Sequence, residues 1–205
     1  MTTTDENEII LAFDTCLDKM YVTLKSGDKV LSSRVVENHD EKYHSAFLIS
    51  TIKDILKSNG LKPQDIDLIC TNVGPGSFTG IRACTTVARV MAQQLGCKAI
   101  GVSSLEILSK LAPIVALDAR KDKAYLYCDN EIKGAIPLEE VKKICNGKEI
   151  ITDNKLKPIL GGASYQEIGA PLGEILADIA VKKACKADCD WRKLKPLYIQ
   201  PPPMG

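Results

Sequence analysis

Histidine is almost missing from the 205-residue sequence, with two residues, tryptophan occurs once, and Phe and Tyr add only three and six more aromatics. Two histidines close in sequence give a Ser or Cys nucleophile little to work with, and so few scattered rings do not suggest a base-stacking platform. An excess of one charge is missing too. Lys+Arg 27 against Asp+Glu 26 leave a formal charge of +1, so no global field draws nucleic acid or an anionic membrane, and any polyanion contact must be local. No long apolar run occurs near the start. Ile9–Phe13 follows a polar, acidic octet and is far short of a signal-peptide core or a membrane span, which leads us to expect a soluble, cytoplasmic protein without membrane contact.

What is present is ordinary for a globular chain: 45% apolar and 26% charged residues, room for one large domain or two small ones. The eight cysteines (16, 70, 84, 97, 128, 145, 185, 189) include no Cys-x-x-Cys pair and fall mostly in apolar segments. They read as small buried hydrophobes of a reducing compartment. Cys185 and Cys189 stand one helical turn apart, but no histidine or further cysteine lies near to complete a metal site.

Periodicity gives the layout. Ile9–Phe13, ending in Asp14, suits a central strand covered on both faces. Met20–Lys25 and Lys29–Glu37 flank Ser26-Gly27-Asp28 as a hairpin. A helix is predicted from about Glu41 to Ser58, with Asp40 as cap and Leu48, Ile49, Ile52, Ile55 and Leu56 as its apolar stripe. A strand over Ile66–Asn72, a glycine-rich loop, a helix over about Gly80–Leu95, a strand over Lys98–Val102 and a helix opened by the capping box Ser103/Glu106 complete the first half.

After Pro113 the pattern restarts. Phe13–Leu24 and Leu117–Cys128 align without a gap at an offset of 104, with Asp14/Asp118, Asp18/Asp122, Lys19/Lys123 and Tyr21/Tyr125 identical. A third strand at Glu131–Ile136, a short helix from Pro137 to Asn146-Gly147, a strand at Glu149–Thr152 and a helix over Pro171–Cys185 follow. Two βββαβα units predict the duplicated α/β fold of the actin/Hsp70-ATPase (ASKHA) type, with an N-terminal lobe over residues 1–110 and a shortened lobe over 111–205. In that class a strand-end aspartate from each half faces a cleft. A doubly wound parallel sheet is the rival, but the two leading hairpins call for antiparallel strands.

The most distinctive stretch is Gly74, Pro75, Gly76, Ser77, Phe78, Thr79 and Gly80, followed by Arg82. Pro75-Gly76 can fill the centre of a type II turn, and Thr79 can cap the following helix. The glycine spacing is neither Gly-x-Gly-x-x-Gly nor a Walker loop. A rigid strand-to-helix turn and an anion or partner site both remain open.

At this loop, with Ile10–Thr15 before it, Val115–Arg120 after it, His44-Ser45 ahead of a helix and Leu194–Ile199 near the end, the sequence resembles the bacterial tRNA threonylcarbamoyladenosine biosynthesis protein TsaB (YeaZ) family. The resemblance implies an actin-like fold and a non-catalytic scaffold subunit of the complex that attaches threonylcarbamoyl to the adenosine beside the anticodon. It also implies binding to a metal-bearing TsaD-like catalytic subunit, with a TsaE-like ATPase in the larger complex, and tRNA met only indirectly. The alternative is a stand-alone actin-like kinase or phosphatase.

The residues read alone point the same way. TsaD-like subunits carry two histidines four apart, whereas His39 and His44 are five apart, about 140° around an ideal helix. Neither Asp14-Thr-Cys-Leu nor Asp118-Ala-Arg-Lys holds the glycine that would let backbone amides approach a phosphate, so we expect no cofactor, metal or catalytic residue. Asp14 and Asp118 read as turn-fixing. Gly161-Gly162-Ala163 is either a remnant of an adenosine-binding loop or a simple turn. The helix over Gly80–Leu95 gathers its polar residues Arg82, Thr85, Thr86, Arg89 and Gln93 into one stripe and is small or apolar elsewhere. Ile81, Ala83, Val87, Val90 and Met91, with Phe47 and Thr51 of the preceding helix, therefore form the candidate partner interface, used for TsaD or, in its absence, for a homodimer. The basic stretch Lys182–Lys195 reads as a solvated helix end with a minor phosphate contact as its other reading.

Overall fold

The computed structural model describes residues 7–37 and 45–200. His39, His44, the expected cap Asp40 and the 201–205 tail lie outside them. Two five-stranded mixed sheets carry the chain. Strands β1 (Ile9–Asp14), β2 (Met20–Ser26) and β3 (Lys29–Val36) form an antiparallel meander. Helix α1 (Ser45–Ser58) leads to β4 (Leu68–Asn72), parallel to β1, and α2 (Phe78–Leu95) leads to β5 (Lys98–Val102), parallel to β4. After α3 (Ser104–Leu108) the series repeats as β6 (Ile114–Asp118), β7 (Lys123–Cys128), β8 (Glu131–Pro137), α4 (Leu138–Cys145), β9 (Ile150–Thr152), α5 (Lys157–Leu160), β10 (Ala163–Ser164), α6 (Tyr165–Ile168) and α7 (Leu172–Ala184). The orders β3-β2-β1-β4-β5 and β8-β7-β6-β9-β10 are the same. This is the duplicated actin-type fold, and its second copy is the poorer one, with β9 and β10 only three and two residues long.

The central strands are buried because helices cover both faces, which is why β1 reads as an apolar run up to Asp14, while β4 ends in the buried polar residues Thr71 and Asn72. The first hairpin turns at Gly27-Asp28, between the paired Ser26 and Lys29. Its counterpart turns at Asp129-Asn130, both left-handed (φ 53° and 61°), the geometry a two-residue type I′ turn requires.

The gap-free alignment of the two copies does not survive in space. Asp14 lies opposite Tyr21, but Asp118 lies opposite Ala124 and Leu117 opposite Tyr125. The register has slipped by one residue because the second turn is shorter, and a slip of one reverses every side chain on a strand. Accordingly Ile10 faces the core between the sheets, whereas its partner in the alignment, Ile114, faces the outer core of the second lobe.

The halves are not independent. One cluster takes Ile10, Ala12, Leu68 and Val102 from the first sheet, Val115, Leu117 and Ile151 from the second, and Leu105 and Leu176 from α3 and α7. The helices are exchanged: α3 packs on β6 and β7, and α7 packs across β1, β2, β4 and β5. Gly173 permits that approach, since a Cβ there would stand 2.5 Å from Thr23 Oγ1, and buried Lys25 pairs with Asp178 of α7. On the other side of the first sheet, α1 and α2 lie side by side over a second cluster. Among the described residues no helix is long and apolar enough to cross a membrane.

Candidate functional site: the glycine loop, the cleft and the α1–α2 face

Ser77, not Thr79, caps α2: its Oγ accepts from Gly80 N at 3.2 Å, and the helix starts at Phe78 rather than Gly80. The type II turn is likewise corrected. Gly76 lacks the left-handed angle such a turn needs, the positive φ of 104° falls on Gly74, and the Gly74–Pro75 peptide is cis.

What shapes the loop is the turn after β1, pressed against it. A Cβ on Gly76 would lie 2.3 Å from Cys16 O, and one on Gly80 1.9 Å from Thr15 O. Ser77 N donates to Cys16 O (2.8 Å), and Thr15 Oγ1 donates to Gly80 O (3.0 Å). Beneath them Asn72 is a buried hub: Nδ2 donates to Asp14 Oδ2 (2.9 Å) and Ser104 Oγ (2.9 Å), while Oδ1 accepts from Gly74 N (2.8 Å). The amides of Gly74, Ser77, Gly80 and Ile81 are thus engaged internally, and these four are not free to meet an anion.

Asp14 is 2% exposed and closes an Asx turn by accepting from Cys16 N. Burial raises its carboxyl above the ordinary value, partly offset by the bonds from Asn72 and Cys16. Asp14, Cys16 and Cys84 bring a carboxylate and two thiols within 4.8 Å of one another. Burial also pushes the Cys16 thiol well up, and Cys84 Sγ receives Thr15 N at 3.1 Å, so these thiols are packing groups tied into the hydrogen-bond network.

A cleft of about 990 Å³ opens between the lobes, lined by Cys16–Asp18 and Pro75–Thr79 on one side, Asp118–Arg120, Asp153–Lys155 and Tyr165 on the other, and the 197–200 segment. Only one of the two repeated strand-end aspartates lines it. Asp118 does, while Asp14 is sealed behind Cys16 and Leu17. Asp118 also closes an Asx turn, accepting from Arg120 N (2.8 Å), and pairs with Lys155 (3.1 Å). The turn-fixing reading holds for both. The following turn places Arg120, Lys121 and Asp122 at φ 60°, 49° and 55°. Gly161-Gly162-Ala163 joins α5 to β10 and is not among the cleft-lining residues, so it serves as a turn.

The helix face needs correction. Thr51 (8% exposed) and Ile81 (4%) belong to the core, and so does Thr85, whose hydroxyl donates to Ile81 O. Ile49, assigned to the buried stripe, is 44% exposed. Helical geometry separates Ile49 from Phe47 by about 160°. Ser58, about 20° from Phe47, accepts from Arg34 of β3 at 3.4 Å, so Phe47 (44% exposed) flanks the β3 edge and Ile49 flanks α2. On α2, Arg89 leans over Trp191 (5.9 Å); Val87, about 160° away, therefore looks towards α1 with Ala83 and Met91. Val90, 53% exposed, crowns the seam. Burial and helix phase together bring Ile49, Ala83, Val87, Val90 and Met91 onto one apolar face. The buried stripe of α1 is narrower than its apolar residues: Leu48, Ile52, Ile55 and Leu56 fill it, and Ile49 stands beside it.

A family model described as TsaD, tRNA N6-adenosine threonylcarbamoyltransferase, matches residues 30–141, just over half of the chain. Among curated proteins, the tRNA threonylcarbamoyladenosine biosynthesis protein TsaB of Bacillus subtilis is 32% identical over 124 residues, covering 57% of this chain and 52% of that protein. The chain belongs to this family, among its TsaB members. Escherichia coli TsaB is 30% identical over 127 residues, 57% of this chain and 52% of that protein; the chain spans about half the length of the TsaB relatives it matches. YeaZ from Pseudomonas aeruginosa has the same fold, with a TM-score of 0.74 at 22% identity over 93% of this chain and 99% of that one. A second P. aeruginosa structure, described as similar to peptidase YEAZ, gives the same TM-score of 0.74 and identity of 22% over 94% and 100%.

Proposed function

We propose that this TsaB-family chain is a non-catalytic, activating subunit in tRNA threonylcarbamoyladenosine biosynthesis, docking a TsaD-type catalytic subunit through the α1–α2 face. The observation that carries the reading is the uncovered apolar seam, with Ile49 44% and Val90 53% exposed on adjoining helices; water-exposed apolar surface of this kind is stabilised by a partner's own apolar face. The engaged amides of the glycine loop and the turn-fixing aspartates support a role without phosphate chemistry. Docking favours the transfer-competent conformation of the partner by binding it better than the resting one. A TsaE-like ATPase joins the larger assembly, and without TsaD the same seam closes a homodimer.

Gel filtration of the purified chain with TsaD tests this. Co-elution is expected for the native protein and loss of it for Val90→Glu and Ile49→Glu; co-elution that survives both substitutions rules out this face. The cleft favours one other reading, a stand-alone kinase or phosphatase. Micromolar binding of Mg²⁺·ATP by the isolated chain in calorimetry would establish that reading and overturn ours.

A further inference from the structure

We infer that the flank of α2 facing the C-terminal segment is a binding strip for single-stranded RNA. Rings scattered through the sequence converge there, alternating with guanidinium groups. At the start of α2 the Tyr198 ring lies 5.9 Å from that of Phe78, tilted by 33°, and Arg82 sits over Phe78 at 5.4 Å. Two turns on, Trp191 takes Arg89 at 5.9 Å and Arg192 at 4.9 Å. Arg82 and Arg89, seven residues apart, share one side of the helix, so the strip runs about 16 Å from Phe78 to Arg89 at the helical rise.

The C-terminal segment holds its rings in place because its backbone is anchored. Leu194 is buried in the first-lobe core, and Leu197 N donates to Val73 O at 2.8 Å. Phe78 and Tyr198 are each 45% exposed, unusual for rings so firmly held. Among the described residues neither Arg82 nor Arg89 has an ion-pair partner. Acidic groups flank the strip without entering it: at the Trp191 end Asp190 pairs with Arg192 (3.3 Å) and Asp188 with Lys193 (2.6 Å), and at the Phe78 end Asp18, Asp118 and Asp153 line the adjoining cleft, Asp118 countered by Lys155.

Unpaired bases offer the flat faces that open rings stack on, and phosphates suit guanidinium groups spaced between them; a duplex hides those faces, and an acidic peptide has none. The formal charge of +1 makes such a contact local. Choosing RNA over DNA rests on the proposed function, in which tRNA is then touched directly as well as through the partner. The strip and the docking seam are separate, since Val90 lies about 100° round α2 from Arg89.

The test is the anisotropy of a labelled single-stranded RNA of mixed sequence, about twelve nucleotides long, at low salt, read together with the emission of Trp191, the only tryptophan. Saturable binding with quenching is expected. Arg82→Glu/Arg89→Glu and Phe78→Ser should each weaken it about tenfold or more, and Val90→Glu should leave it unchanged. Absence of saturable binding, indifference to those substitutions, equal binding of duplex RNA, or equal displacement by poly-glutamate would each overturn the inference. Circular dichroism of the variants verifies their fold. If the arginine variant still co-elutes with TsaD, loss or absence of RNA binding bears on the strip alone and leaves the docking reading standing.

Discussion

Replacing Gly80 by alanine inverts the ordinary sign of a helical glycine substitution. Alanine inside a helix gains about 0.5–1 kcal/mol over glycine. At position 80 the new Cβ would stand 1.9 Å from Thr15 O and 2.7 Å from its carbonyl carbon, about 1.5 Å inside normal contact. Neither side can yield freely. Thr15 is tied by its N–H to Cys84 Sγ (3.1 Å) and its hydroxyl to Gly80 O (3.0 Å), and the next residue by Ser77 N to Cys16 O (2.8 Å). Relief sacrifices one or two such bonds at about 1 kcal/mol each, added to about 1–3 kcal/mol of overpacking strain. The net loss after the propensity gain is about 1–4.5 kcal/mol, which lowers the urea midpoint by about 0.5–2 M for a slope near 2 kcal/mol/M. Thr79→Ala, exposed in the same turn, should stay within about 0.5 kcal/mol. A Gly80→Ala midpoint equal to or above that of the native chain would refute the claim that backbone approach dictates the loop glycines.

Ile81→Ala, a core truncation at the seam's edge, should cost about 2–4 kcal/mol in urea titration, whereas Val90→Glu should change stability by less than about 0.5 kcal/mol while abolishing co-elution with TsaD. Glu106 joins α3 to α7: burial pushes its carboxyl up, but the Lys183 ammonium at 2.8 Å and the Ser103 N–H reverse this and hold it below the ordinary value. With the folded value depressed, its contribution is complete above the ordinary carboxylate range and fades as pH falls through the folded value; Glu106→Gln should therefore lower the neutral-pH midpoint and flatten its acid-side decline. In a native-state thiol titration, Cys185, the exposed cysteine, should react first, with buried Cys16, Cys70 and Cys84 silent until unfolding.

The order of elements was legible because each signal was local. An apolar run marked β1, Gly27 marked the first hairpin, and Ser103/Glu106 formed the capping box read from its spacing. What escaped depended on distant neighbours. The cap moved to Ser77 because the β1–β2 turn pins the loop from outside. Ile49 was misplaced because α1's phase is set by the sheet beneath it. The exchange of α3 and α7 between lobes has no local signature at all. Nor did three of the few aromatics announce that folding would bring them along one flank of α2.

The repeated aspartates illustrate how duplication preserves a frame while dissolving a site. A paired carboxylate clamp requires both strand ends to present their side chains to the same space. One residue fewer in the second turn lets Tyr21 and Tyr125 keep equivalent places against the shared core, but it parts Asp14 from Asp118. Asp14 turns into the buried network under the glycine loop, where Asn72 and Cys16 N occupy it. Asp118 remains at the cleft, 22% exposed along its side chain and countered by Lys155. Asp14 is withdrawn by the bonds from Asn72 and Cys16 N, and Asp118 is held by Arg120 N and Lys155, so the two carboxylates do not face a common space. The strand order of the actin type therefore does not by itself license nucleotide chemistry in this chain, and the surfaces that remain open on the outer helices are where its work is best sought.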